Sequence, residues 1–196
     1  VSKSSPYGTV EDPFCPAELC FGARGQFFGR AVANDSVHTV ALLKAAQQHK
    51  GAAVCEILQN CMIFNNGCYA PIYTREGREM HAIYLEHGQP MLFGANKEWG
   101  LMQEGFGLKV VKVGKDGVKM SDILVHDAHC TDNTLQMKLA MMRNEDGFPV
   151  ALGVIRDVPA PTYNDCIYEQ LAEQKAKQSY HNFAELLETN DTWTVE

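Results

Sequence analysis

The sequence predicts an α/β protein in which a parallel β-sheet is followed by an antiparallel β and helical extension. Residues 26–58 show the pattern of a strand, a capped helix and a second strand, which is typical of a parallel sheet. From residue 76 onward the apolar runs are short and are separated by Gly and Pro, which favours β-ribbons. We therefore predict two parts, residues 1–75 and residues 76–196.

The strand–helix–strand unit of residues 26–58 is the best-defined element. Gln26 to Val32 forms a strand pattern, and Asn34-Asp35-Ser36 supplies an N-cap for the helix that follows. Apolar residues then recur at helical spacing up to His49. Ala52 to Leu58 is a mostly apolar run, as expected of an interior parallel strand. We expect the two strands to pair in parallel through a right-handed crossover.

The flanking elements are predicted from the same kinds of pattern. Residues 1–15 contain several Pro and Gly residues and are predicted to form a loop. Pro16 suits the first turn of a helix that continues to Ala23. Later patterns predict helices at 131–143, 163–177 and 183–188, a strand at 148–154, and short antiparallel runs at 81–86, 91–93, 100–103 and 108–113.

Composition excludes several classes of protein. The formal net charge is -7, and no Lys/Arg cluster is present, which argues against a nucleic-acid-binding protein. No apolar run is long enough to cross a bilayer, and the N-terminus lacks a signal-peptide pattern. The seven cysteines are odd in number, scattered and without a C-x-x-C pair, which argues against a disulfide framework. We expect a soluble protein of the reducing cytoplasm.

Cys61 is the most informative candidate residue. It follows the predicted strand 52–58, and ligands of open α/β sheets bind beyond the carboxyl ends of the strands. The surrounding amides and glycine can supply N–H donors to a metal cluster, so Cys61 is a candidate metal ligand. The alternative is a buried thiol that closes the strand. A cluster typically needs four thiolates; Cys55 and Cys68 could contribute, but alternation places Cys55 well down the strand.

Three further groups of residues could carry chemistry. His126, Asp127 and His129 could bind zinc or a similar metal, although a hydrogen-bonded strand end is the alternative. Arg24 and Arg30 could bind a carboxylate or phosphate, and surface or inter-subunit pairing is the alternative. Cys15 and Cys20 could be thiolates at a helix start, and packed thiols are the alternative.

Five segments together resemble a known family, namely residues 16–24 with 27–30, 56–67, 85–90, 124–129 and 190–195. The resemblance is to the thiamine-diphosphate-binding beta subunit of 2-oxoacid:ferredoxin oxidoreductases, most of all the longer bacterial subunit specific for 2-oxoglutarate. It extends nearly from end to end, and Gln-Asn-Cys-Met-Ile-Phe-Asn at 59–65 is its most specific part.

The resemblance implies an activity and its cofactors. The family decarboxylates a 2-oxoacid on thiamine diphosphate with Mg²⁺, passes electrons through a [4Fe–4S] cluster to ferredoxin, and forms an acyl-CoA. It also implies an alpha subunit as partner. Within this family Cys61 corresponds to the fourth cluster ligand, and the amides of Asn60, Asn65, Asn66 and Gly67 are then expected to form a turn facing the cluster.

The resemblance further implies that this chain is the C-terminal portion of the subunit, within a thiamine-diphosphate-binding type of sheet. The diphosphate-binding signature and the other three cluster cysteines would precede residue 1, so we assign no catalytic and no cofactor-binding residue besides Cys61. Two alternatives remain open. Residues 80–196 could form a non-catalytic module that docks the alpha subunit, or the protein could be a metallohydrolase that uses His126, Asp127 and His129.

Overall fold

The computed structural model describes residues 5–11, 13–189, 191, 193 and 195. The predictions for residues 1–4, and for the residues at 190, 192 and 194 of the C-terminal segment, lie outside these described residues. By its contacts the chain divides into two units, Val1–Ala160 and Pro161–Glu196.

The first unit contains seven strands and five α-helices among its described residues. The strands are β1 (Phe27–Val32), β2 (Ala53–Leu58), β3 (Ala82–Leu85), β4 (Leu92–Phe93), β5 (Trp99–Glu104), β6 (Gly107–Lys112) and β7 (Val150–Asp157). The helices are α1 (Pro16–Gly22), α2 (Ser36–Gln48), α3 (Ala70–Tyr73), α4 (Arg75–His81) and α5 (Thr134–Met141), with 3₁₀ turns at Met120–Asp122 and Asn144–Asp146.

Four strands form the main sheet in the order β2-β1-β7-β3. β1 pairs in parallel with β2, as the strand–helix–strand pattern predicts, and β3 pairs in parallel with β7. β7 is antiparallel to β1, so the sheet is mixed. On one face Leu42 of α2 packs against Phe27 and Ala31. On the other face Phe28 belongs to the same core as Leu139 of α5.

The prediction that residues 52–58 form an interior strand is wrong for this chain. β2 lies at the edge of the sheet, with β1 as its neighbour among the described strands. Its side chains Val54 and Ile57 are 38% and 37% exposed, although the apolar run is of the kind that both faces of an interior strand require. The pattern gives the strand and its orientation, but it does not identify the neighbours.

A second sheet, β4-β5-β6, is antiparallel and confirms the β-ribbons predicted for this region. Leu101 of β5 and Met91 are fully buried in the same core as Ile83. β3 differs from the prediction, because it joins the main sheet and not the ribbons. Strands from both sides of residue 75 therefore share one sheet, and the division at that residue stays a prediction.

Helices α3 and α4 have no counterpart in the sequence prediction. Pro71 and Gly77 are unfavourable in helix interiors, so the segment does not show a helical pattern. The structure resolves the conflict locally. Pro71 lies in the first turn of α3, and the Thr74 side chain caps α4 by accepting a hydrogen bond from the Gly77 N–H.

Among its described residues the second unit contains two helices, α6 (Tyr163–Lys177) and α7 (Phe183–Glu188), which confirm the predicted bounds. Thr162 and Asp165 form a reciprocal capping box at the start of α6, and the Asn182 side chain caps α7. Both helices are free of buried residues. None of the described helices has the length and apolar character needed to cross a membrane.

Candidate functional site

Cys61 lies just beyond the carboxyl end of the parallel strand pair. The register of β1 and β2 ends at Val32 and Leu58, so both strands finish at the same edge of the sheet. Cys61 follows Leu58 by three residues and is a free, half-buried thiol. This edge is the ligand-binding side of an open α/β sheet, which makes the loop after β2 the candidate functional site.

Backbone N–H groups surround the sulfur of Cys61. The Phe64 N–H donates to Cys61 Sγ at 3.5 Å. The N–H groups of Phe64, Ile63 and Asn65 together hold the pKa of the Cys61 thiol below its usual value, because hydrogen bonds to a thiolate favour the charged form. The loop is therefore arranged to stabilise a thiolate, the form that binds metals.

The turn around Cys61 was predicted, but its donors were only partly identified. Asn65 adds only a small part to the lowering of the Cys61 pKa, and its N–H is hydrogen bonded to the Cys61 carbonyl at 3.0 Å, whereas Ile63 and Phe64 were not predicted. The Gly67 N–H is instead bonded to the Asn60 side chain, with N to Oδ1 at 2.8 Å. An amide-rich segment shows that N–H donors are available, but the backbone path of the turn decides which of them face the sulfur.

Two other cysteines, Cys55 and Cys20, differ from Cys61 in environment. Cys55 packs on the side of β2 that faces Phe27 and Leu42, and burial raises the pKa of its thiol. Cys20 is buried in the main core, and burial raises the pKa of its thiol as well. Among the described residues no group of three or more His, Cys, Asp or Glu side chains is arranged to hold a metal ion. Cys61 is thus a potential single ligand.

A buried ion pair lies on β1 and β2, ahead of the Cys61 loop. Arg30 and Glu56 are opposite one another in the parallel register, with Nε to Oε2 at 2.6 Å, and Arg30 Nη2 donates to the Ala140 carbonyl at 2.8 Å. Arg30 therefore forms a buried ion pair within the chain, which is neither the carboxylate or phosphate site nor the surface or inter-subunit pairing expected from the sequence. Arg24 is exposed at the end of α1.

A cavity of about 420 Å³ adjoins this ion pair. Arg30, Glu56 and Cys68 line it, together with Tyr69, whose pKa is raised by burial and by the nearby Cys68 and Glu56. The opposite charges of Arg30 and Glu56 neutralise one another at 2.6 Å, so the cavity offers no uncompensated cation from this pair.

His126, Asp127 and His129 are not brought together as metal ligands. The His126 ring is buried, and its Nε2 bonds to the Val154 carbonyl at 2.9 Å; burial lowers its pKa. His129 Nδ1 bonds to the Asp157 carbonyl. Asp127 lies 3.4 Å from Nδ1 of His87. The hydrogen-bonded alternative describes this segment, since each histidine points one ring nitrogen at a different backbone carbonyl.

Comparison with curated proteins identifies relatives. The chain is 38% identical over 198 residues to 2-oxoglutarate oxidoreductase subunit KorB of Mycobacterium tuberculosis, a match that covers 100% of this chain and 52% of that subunit. It is related to the beta subunits of 2-oxoacid:ferredoxin oxidoreductases. The resemblance predicted from the sequence motifs is thereby confirmed.

Two beta subunits from Aeropyrum pernix match in part. The beta subunit of its 2-oxoacid:ferredoxin oxidoreductase 1 is 36% identical over 74 residues, which are 38% of this chain and 22% of that subunit. The beta subunit of its oxidoreductase 2 is 27% identical over 115 residues, 58% of this chain and 36% of that subunit. No family model matches the chain, and no solved structure gives a significant match. The chain spans about half the length of KorB.

Proposed function

We propose that this chain acts within the beta subunit of a 2-oxoacid:ferredoxin oxidoreductase whose substrate is 2-oxoglutarate. The observation that carries the proposal is the 38% identity along 100% of the chain to a protein named as a 2-oxoglutarate oxidoreductase subunit. The reaction would be oxidative decarboxylation to an acyl-CoA, with the electrons transferred to ferredoxin. An alpha subunit is the expected partner, since the Aeropyrum relatives are named beta subunits.

The chemistry of Cys61 supports this proposal. We infer that Cys61 Sγ is one of four thiolate ligands of a [4Fe–4S] cluster, with the other three outside this chain. When bound, the cluster supplies one-electron transfer, and thiamine diphosphate with Mg²⁺ supplies the stabilised carbanion. The contribution of this chain is to hold Cys61 as a thiolate, because the surrounding N–H groups stabilise negative charge on its sulfur.

The two alternatives have no observation of their own in their favour. β3 and β7 lie within residues 80–196, and both belong to the sheet that contains β1, so no observation favours a separate docking module. A metallohydrolase would need His126 and His129 to share a metal, but each is hydrogen bonded to a different carbonyl. The cytoplasm is the proposed compartment, supported by seven free cysteines.

Steady-state assays of the purified complex, containing the full-length subunit and its alpha partner, test the proposal. The complex should reduce ferredoxin when 2-oxoglutarate and coenzyme A are both present, and should do so with a higher kcat/KM than with pyruvate or a branched-chain oxoacid. A complex that oxidises pyruvate better than 2-oxoglutarate would contradict the substrate assignment. A complex that reduces ferredoxin with none of these oxoacids would contradict the proposed reaction.

A further inference from the structure

We propose that Asn60 is a positioning residue for Cys61: its side chain closes the loop 60–67 and so holds the backbone N–H groups against the cysteine sulfur. The role in the cluster rests on the proposed function, whereas the role in ordering the loop does not. The residues that close the loop, Asn60, Asn66 and Gly67, are called the clasp below.

Both polar atoms of the Asn60 side chain are used in the clasp. Oδ1 accepts the Gly67 N–H at 2.8 Å, and Nδ2 donates to Asn66 Oδ1 at 2.9 Å. The Asn60 side chain at the start of the loop is thus bonded to two residues at its end, six and seven positions away. Gly67 has φ +84°, a left-handed conformation that suits glycine, so the backbone turn is built for this closure.

Packing does not account for the order of this loop. The residues between Cys61 and the clasp, Met62, Ile63 and Phe64, are 80%, 80% and 61% exposed. Apolar side chains that remain in solvent contribute little to holding a conformation. The loop is instead held by hydrogen bonds, namely the clasp and the Asn65 N–H to Cys61 carbonyl bond at 3.0 Å.

The clasp has a chemical consequence at the sulfur. Cys61 and Asn65 form an isolated antiparallel β-bridge, and the Phe64 N–H reaches Cys61 Sγ only while this bridge is kept. The clasp fixes the residues that follow the bridge. Hydrogen bonds to ligand sulfur atoms are among the factors that set the reduction potential of an iron–sulfur cluster. They stabilise the more negatively charged reduced state. Loss of the clasp should therefore lower the reduction potential.

Residue-resolved hydrogen exchange in the full chain tests the role in loop order. In Asn60→Ala the Gly67 and Phe64 amides should exchange at least about fivefold faster, the effect of losing a hydrogen bond of ordinary strength. Asn60→Asp should restore slow exchange, because its carboxylate still accepts the Gly67 N–H and the Asn66 amide can rotate to donate to it. The matched control is Asn96→Ala, which changes an exposed asparagine in another loop.

Cys61→Ala separates the clasp from the sulfur contact. It should speed exchange at Phe64, whose acceptor is lost, while Gly67 stays protected by Asn60. Unchanged exchange of the Phe64 amide in Asn60→Ala would overturn the proposal. So would exchange of the Gly67 and Phe64 amides in Asn60→Asp that is as fast as in Asn60→Ala. These outcomes do not depend on any bound cluster, so they are distinct from a failure of the proposed function.

Potentiometry of the assembled enzyme tests the consequence for the cluster. Asn60→Ala should keep the cluster content and shift its reduction potential to a more negative value, and Asn96→Ala should change neither. A merely structural role would lower the cluster content at unchanged potential, and that result would overturn the positioning role.

Discussion

The carboxylate of Glu56 lies 2.6 Å from the guanidinium of Arg30, directly across the parallel register between β2 and β1. The side chains are 19% and 7% exposed, so the pair is largely removed from water. Glu56→Gln would leave the Arg30 charge buried without its counter-ion. We expect the free energy of unfolding to fall by about 3 kcal/mol, measured by urea denaturation.

An exposed ion pair provides the control for this measurement. Lys109 Nζ and Glu104 Oε1 lie 2.7 Å apart, but their side chains are 50% and 63% exposed. Glu104→Gln should cost less than about 1 kcal/mol, because solvent screens the attraction. Equal losses in the two variants would show that burial does not govern the strength of the Arg30 pair.

Asp35 should make the stability of the protein depend on pH in the acid range. Burial alone would raise the pKa of Asp35, but hydrogen bonds from Tyr84 and His38 outweigh it and lower the pKa. The charged carboxylate therefore stabilises the folded state above the ordinary aspartate pKa of about 4, and this contribution is lost as pH falls through the lowered value. When the pH is lowered from about 5 to about 3, the free energy of unfolding should fall less in Asp35→Asn than in the parent chain.

The Asp35→Asn result can be attributed to charge because asparagine is also a good N-cap and can keep α2 capped. Asp116→Asn is the control, because Asp116 is exposed and its substitution also removes one formal negative charge. A variant at Asp35 that retains the full acid sensitivity of the parent chain would contradict the assignment.

Gly153 should tolerate no side chain. It lies on β7 with φ +94°, and a Cβ there would be 2.7 Å from the Leu85 carbonyl oxygen of the neighbouring strand. Gly117 has a similar φ of +83° but open space where a Cβ would be placed. We expect Gly117→Ala to cost about 1–2 kcal/mol from backbone strain alone, and Gly153→Ala about 3 kcal/mol or more. Thermal or urea unfolding that gives equal costs would contradict the close approach of the two strands.

Local patterns account for much of the fold. The capped helix α2, the parallel pairing of β1 with β2, and the bounds of α6 and α7 follow from the spacing of apolar residues and from caps such as Asp35. The patterns do not predict which strands pair over long distances in the sequence. The insertion of β7 between β1 and β3, which leaves β2 at the edge, depends on contacts between residues more than 60 positions apart. The pairing order of strands is not encoded in the periodicity of any one of them.

Only part of the candidate site could likewise be predicted from the sequence. The position of Cys61 beyond a strand end could be predicted, because it depends only on local sequence and on the general rule for open sheets. The ion pair of Arg30 with Glu56 could have been found once the parallel register was known, since the two residues face each other in it. The closure of the loop by Asn60 required the backbone path, because the sequence offers several amides with the same chemistry.

The cluster signal of the intact complex tests the central claim most directly. Electron paramagnetic resonance of the reduced enzyme should show a [4Fe–4S] signal in the parent protein and in Cys55→Ala, whose thiol packs against the core. Cys61→Ala should lose that signal and ferredoxin reduction together, because one of four thiolate ligands is removed. A normal cluster and normal electron transfer in Cys61→Ala, with both lost in Cys55→Ala, would contradict the account.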